Sequence, residues 1–193
     1  AEPRLGEKVC VIGLGLLGHL TGQLLKANGC DVLGIDLSDR LIELANKISV
    51  TKALHRDDPV LISACENFTH GYGFDSIIIT AAAQTNDPII LASEIARKKG
   101  KIIVVGDVKM IIPREPHFYK KELELRISCS YGPGRYDVNY EENGNDYPYA
   151  YVRWTEQRNM EAFLEMISKG LINVKPLATR SEERREGKEC RSR

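Results

Sequence analysis

The sequence predicts an α/β protein, a doubly wound parallel sheet of about six strands covered by helices on both faces. Three observations point there. Short apolar runs rich in β-formers alternate with helical segments over most of the chain. Two of those runs, FDSIIIT (Phe74 to Thr80) and KIIVVG (Lys101 to Gly106), are almost continuously apolar, as strands buried on both faces are. The first run also passes straight into a helix through a glycine-rich turn, VCVIGLGLLGHL at residues 9 to 20.

Taken in order, EKVCVI (Glu7 to Ile12) is the first strand. The segment from Leu16 to Ala27 is the first helix, with Leu16, Leu17, Leu20, Leu24 and Leu25 along one face and Asn28-Gly29 as its stop. DVLGID (Asp31 to Asp36) is the second strand, after which Ser38 can cap a helix carrying Leu41, Leu44 and Ala45. Residues 50 to 73 give weaker signals: a short strand, then a helix around Val60 to Cys65. FDSIIIT follows as a strand.

The next helix takes Asp87 as N-cap, Pro88 at the first helical position, Leu91, Ala92, Ile95 and Ala96 on one face, and Lys98-Lys99-Gly100 at its end. KIIVVG and ELRISCSY (Glu124 to Tyr131) complete the sheet. Thr155 caps a last helix with Met160, Phe163, Leu164 and Ile167 at helical spacing, ending at Lys169-Gly170. No internal repeat is evident.

At 193 residues the chain suits one domain with a real core, expected over residues 1 to 179. Equal numbers of basic and acidic residues, 27 each, exclude the basic field that nucleic acid or an anionic membrane surface calls for. No apolar run approaches the roughly twenty residues of a membrane span, and the start AEPRLGEK lacks the apolar core of a signal peptide. Cys10, Cys30, Cys65, Cys129 and Cys190 are scattered without metal-ligand spacing and are expected to be mostly small apolar core residues of a reduced, cytoplasmic protein.

From Arg180 the composition breaks: ten of the last fourteen residues are charged. Residues 180 to 193 are expected to be a disordered tail. Their opening Arg-Ser-Glu-Glu-Arg is also what a sequencing-library adapter reads as in translation, so the tail is set aside as an expected artefact.

Glycines Gly13, Gly15 and Gly18 form G-x-G-x-x-G between a strand and a helix, and Asp36 ends the next strand eighteen residues after Gly18. That context makes the motif a dinucleotide cradle, the Rossmann arrangement. Gly13 gives the tight turn, Gly15 admits the pyrophosphate to the backbone, and Gly18 lets helix and strand pack closely. Backbone N–H groups at the helix start, around Leu14, Leu16 and Leu17, face the phosphates. Asp36 accepts the ribose hydroxyl protons and repels a 2′-phosphate, so NAD is expected and NADP is disfavoured. Leu37 follows the acid, and Arg40, one helical turn on, either stacks near the adenine, blunts that preference, or is a solvated helix residue, the commoner case.

Catalytic residues are not identifiable. His19, His55, His70 and His117 stand alone, no nucleophile signature occurs, and no metal ligands are expected. The most unusual stretch is YGPGRYDVNYEENGNDYPYAYVRW, Tyr131 to Trp154, which holds six of the eight tyrosines and the single tryptophan. Tyr131, Arg135 and Tyr136 are candidates for a substrate pocket or lid, with Arg135 meeting an anionic substrate or the pyrophosphate. The competing expectation is an aromatic surface that packs against a missing domain or a second copy of the chain in a homo-oligomer.

LGEKVCVIGLGLLGHLTGQLLKANGCDVLGIDLSDRLIELA and GKIIVVGD together resemble the cofactor domain of the medium-chain dehydrogenase/reductases, the zinc-type alcohol dehydrogenases. FYKKELELRISCSYGPGRYD, DYP, YVRWTEQRNM and KPLATR are similar to a bacterial subgroup in which that half precedes a glucose-fructose-oxidoreductase-like half. The resemblance implies that Gly13, Gly15, Gly18 and Asp36 hold the adenosine diphosphate, and that Ala81-Ala82 and Gly106-Asp107 flank the nicotinamide ribose. It further implies an oxidoreductase acting on a CH–OH group of an alcohol or sugar, with a catalytic zinc, if the parent used one, held outside this chain. The chain would then be a fragment that binds cofactor without turning over alone. Two alternatives share the glycine turn and acid: a nucleotide-sensing domain of a channel or transporter, and a methyltransferase. The aromatic loop is superfluous for the first, and Val11-Ile12 stand where the second usually has an acid.

Overall fold

A computed structural model describes residues 1–178 of the chain, so the charged tail lies outside the described residues. Strands β1 (Lys8–Ile12), β2 (Asp31–Asp36), β3 (Lys52–His55), β4 (Phe74–Ile79), β5 (Ala96–Val104) and β6 (Glu124–Ile127) form one sheet in the order β3-β2-β1-β4-β5-β6. Every pairing is parallel. The expected α/β class and the doubly wound sheet are therefore both present.

Side-chain alternation explains the continuous apolar runs. Cys10 and Ile12, Leu33 and Ile35, and Ile77 and Ile79 face one layer with α3 (Leu61–Phe68) and α4 (Asp87–Ile95). Val9 and Val11, Val32, and Ile78 face the other, with α1 (Leu16–Ala27) and α2 (Asp39–Ile48). A strand covered on both faces needs apolar residues at every position. Cys10, Cys30 and Cys65 are free and buried while Cys129 is exposed. Burial pushes the Cys65 thiol up to about 11, so it stays protonated and inert.

The leucine face expected on α1 is only partly the face that packs. Gly18, His19, Gly22, Gln23 and Leu25 are buried, whereas Leu16 and Leu17 are more than half exposed. Close approach is the cause: a Cβ on Gly18 would sit 2.0 Å from the Gly13 carbonyl oxygen, and one on Gly22 2.6 Å from that of Ser49. Small residues let the helix approach this closely, and no larger side chain fits at Gly18 or Gly22.

Helix α4 also differs. Asn86 is its N-cap, Asp87 its first residue, and the helix stops at Ile95 because Ala96 already pairs with Phe74 in β5. Lys98-Lys99-Gly100 lies in the irregular start of that strand. Cations favour a helix C-terminus, and that place is taken from a distance by Lys121 of α5 (Tyr119–Lys121). Its ammonium donates to the carbonyls of Ser93, Glu94 and Ala96 at 3.1, 2.5 and 2.8 Å.

Beyond β6, α6 (Val138–Glu141) and α7 (Glu156–Ser168) follow the aromatic stretch. Thr155 caps α7 as expected, its hydroxyl accepting from the Arg158 N–H. The helix buries no residue fully: Met160 and Leu164, two of the apolar residues at helical spacing, are 50% and 65% exposed.

Candidate nucleotide-binding cleft

Strand order reverses between β1 and β4, whose chains continue to opposite sides of the sheet. Such a switch point opens a crevice at the carboxyl ends of the strands. A cleft of about 440 Å3 lies there. Gly13, Gly15, Asp36, Leu37, Ala81 and Ala82, six of the residues singled out in the sequence, line it.

The turn between β1 and α1 is fixed by contacts that tolerate only glycine. Gly13 has φ +96, a left-handed conformation, and a Cβ there would lie 2.5 Å from the Ala81 nitrogen. Its N–H donates to the Ile35 carbonyl at 2.8 Å, and its carbonyl accepts from the Thr80 hydroxyl at 2.6 Å. Gly15 is different: nothing lies within 4 Å of its would-be Cβ. That space is a gap against the backbone at the start of α1. The helix has no side-chain cap and no acidic residue in its first turn, so its positive end faces the gap uncompensated.

Asp36 joins the acid strand to the glycine turn. One carboxylate oxygen accepts from the Leu14 N–H at 2.6 Å and the other from the Ser38 N–H at 2.9 Å. A carboxylate has about four acceptor positions, so these two bonds do not exhaust Asp36, which lines the cleft. Ser38 is the N-cap residue of α2, but its side chain makes no capping bond.

The remaining candidates are placed less directly. The Leu14 side chain is fully buried against Gly34, leaving only its backbone at the turn. Leu16 and Leu17 project their side chains outward from the helix start. Gly18 packs on Gly13 beneath the turn. Arg40 is exposed on α2 and does not line the cleft. Gly106 and Asp107 lie one strand further: a Cβ on Gly106 would touch the Ala81 carbonyl at 2.0 Å, and the Asp107 carbonyl accepts from Ala83 N–H at 2.9 Å. They buttress the Ala81–Ala83 wall without lining the cleft.

The lid candidates gather elsewhere. Arg135 lies 4.5 Å from the Tyr136 ring centre and 5.6 Å from that of Tyr131, and its guanidinium is paired with Glu141 at 2.5 Å. Expected to meet an anion or the pyrophosphate, it is paired here with a carboxylate of its own loop and does not line the cleft. Tyr140 stacks on Tyr147, and Arg158 of α7 ties Asp146 and the Tyr147 and Val152 carbonyls together. The stretch is a self-supporting surface with Tyr151 and Tyr136 strongly exposed.

Residues not singled out for the site in the sequence also line the cleft, among them Leu41, Arg56, Thr80, Thr85, Asp87 and Pro88. The Arg56 guanidinium meets the Asp87 carboxylate through two bonds, Nε at 2.8 Å and Nη2 at 2.5 Å. Asp87, expected as a helix cap, is thus an ion-pair partner, and its hydrogen bond raises the Arg56 pKa further. Thr80 was legible as the last residue of FDSIIIT. Arg56 follows β3, in the stretch whose signals were weakest.

Close to the cleft, His19 is buried, with Nδ1 2.8 Å from the Ser49 hydroxyl and Nε2 without a partner. Burial lowers its pKa below the ordinary 6.5, with Asp36 opposing the shift. A proton therefore binds the unfolded chain more readily than the folded one. The stabilising difference is complete above about pH 6.5 and is lost as pH falls through the folded value. The thermal midpoint is expected to drop on acidification from pH 7 to 5, with a shallower slope in His19→Gln; equal slopes would show that His19 is not the group involved.

Among the described residues no three His, Cys, Asp or Glu side chains gather as a metal site. No helix among them is long and apolar enough to cross a membrane. A family model described as zinc-binding dehydrogenase matches residues 17–142. The chain belongs to the zinc-binding dehydrogenase family. The match is to the nicotinamide-binding half of these medium-chain dehydrogenase/reductases.

Relatives agree. D-guloside 3-dehydrogenase of Escherichia coli is 26% identical over 183 residues, covering 92% of this chain and 47% of the relative. The 2-dehydro-3-deoxy-L-galactonate 5-dehydrogenase of Pseudoalteromonas atlantica is 25% identical over 174 residues, covering 90% and 43%. This zinc-binding dehydrogenase chain thus spans less than half the length of either. In fold it resembles an Escherichia coli oxidoreductase of unknown specificity, with TM-score 0.69 and 21% identity, over 91% of this chain and 43% of that one. A quinone oxidoreductase of the same organism complexed with NADPH gives TM-score 0.65 and 16% identity, over 90% and 48%. The sensor and methyltransferase alternatives find no support in these relatives.

Proposed function

We propose that this chain is the NAD(H)-binding domain, over residues 1 to 179, of an oxidoreductase acting on a CH–OH group of an alcohol or sugar. The observation that carries the reading is the Asp36 carboxylate at the rim of the cleft, tied to the glycine turn and with acceptor positions to spare. The gap at Gly15 fits a pyrophosphate, which the N–H groups of Gly15, Leu16 and Leu17 would meet with the helix dipole behind them. Asp36 would take the ribose hydroxyls, Leu37 and Leu41 the adenine side, and Ala81 and Ala82 the path toward the nicotinamide ribose.

The nicotinamide, when bound, supplies the hydride acceptor. The chain's own groups bind and orient. A zinc finds no fit among the described residues, so substrate polarisation is assigned to groups outside this chain, and the chain alone is expected not to turn over. The second, glucose-fructose-oxidoreductase-like half implied by the sequence resemblance remains part of this reading, as does a cytoplasmic location. Since an NADPH complex occurs on the same fold, the fold does not choose the cofactor; the like charge of Asp36 favours NAD.

Titration of the chain with NADH and NADPH, followed by nicotinamide fluorescence, tests the reading. Saturable binding with NADH preferred is expected. A folded sample that binds neither would overturn it.

A further inference from the structure

We propose that discrimination against a 2′-phosphate in this cleft rests on two carboxylates, with Asp87 disarming Arg56, the one cation among the described residues that line the cleft. The inference rests on the nucleotide reading of the cleft. Arg56 is the one cation among the described residues that line it. Its position is close to the acid: the Arg56 N–H donates to the Asp36 carbonyl at 2.8 Å, immediately after the pair Asp36–His55 in the β2–β3 ladder. A guanidinium starting there is within a side chain's length of whatever Asp36 binds.

Left free, such a group would invite a 2′-phosphate. Guanidinium forks bind phosphate bidentately, and the gain opposes the repulsion from Asp36. The fork is instead spent on Asp87, through Nε and Nη2. Asp87 is well placed to keep it, because it stands in the first turn of α4, ahead of Pro88, where the helix dipole favours a carboxylate. The two acids and one cation leave the cleft with a net charge of −1. Neutralising Asp87 would bring that charge to zero and release a donor fork. Removing Arg56 would make the cleft still more negative.

The two changes therefore move selectivity in opposite directions, which a general loosening of the fold cannot do. The probes are AMP and adenosine 2′,5′-bisphosphate, titrated calorimetrically into the full chain, with thermal melting as a check on folding. For Asp87→Asn, bisphosphate affinity relative to AMP is expected to rise about tenfold, the scale of one hydrogen bond to a charged group. For Arg56→Gln the ratio is expected to fall, and for the double variant to return near that of the unaltered chain. An unchanged ratio in Asp87→Asn with AMP still bound would overturn the inference alone. So would a rise in Arg56→Gln, or a gain that survives in the double variant. Failure of the unaltered chain to bind AMP or NADH would remove the nucleotide reading and this inference with it.

Discussion

Replacing Gly18 with alanine is expected to cost about 3 kcal/mol or more of stability, at the upper end of overpacking effects. The added Cβ would meet backbone: the Gly13 carbonyl oxygen at 2.0 Å and its carbon at 2.9 Å, with the Thr80 hydroxyl at 3.1 Å. No flexible side-chain end is available to yield, so α1 must lift from β1. Nucleotide binding should be lost with the turn. Gly15→Ala is the matched control. Its Cβ enters open space, and its φ of −66 suits any residue, so stability should change by less than about 0.5 kcal/mol. If a pyrophosphate occupies that space, NADH affinity falls while the denaturant midpoint holds. Unaltered NADH binding in Gly15→Ala would show that the phosphates lie elsewhere.

Asp36→Ala is expected to weaken NADH by roughly ten- to a hundredfold, the range for hydrogen bonds to a charged group. The same change removes the acceptor for the Leu14 N–H, whose residue is buried at the turn. A stability loss of about 1–2 kcal/mol should accompany the affinity loss. The preference for NADH over NADPH should shrink as well, because the repelling charge is gone. Calorimetric titration with both cofactors separates these effects: a uniform loss with unchanged preference would assign Asp36 to the turn alone.

The cleft was legible in the sequence where local chain geometry dictates residue type. Gly13 must adopt a positive φ against Ala81, Gly18 must lie against Gly13, and an acid must end the neighbouring strand. Those demands leave a fixed spacing in the primary structure. Buried strands are equally legible, since cover on both faces forces a continuous apolar run such as FDSIIIT. Periodicity in α1 was partly misleading for a related reason. It reports which positions are apolar, while the face that packs was also set by how closely the helix must approach its neighbours, and glycines met that demand.

Residue types and spacings along the chain thus determined the parallel sheet, the glycine turn and its acid, because each answers to contacts between sequence neighbours or adjoining strands. Only the tertiary structure decided that Arg56 pairs with Asp87, that Lys121 closes the end of α4, and that Arg135 pairs with Glu141. Long flexible charged side chains can reach many partners, and which one they find depends on where distant backbone segments come to rest. A glycine under steric compulsion has no such freedom.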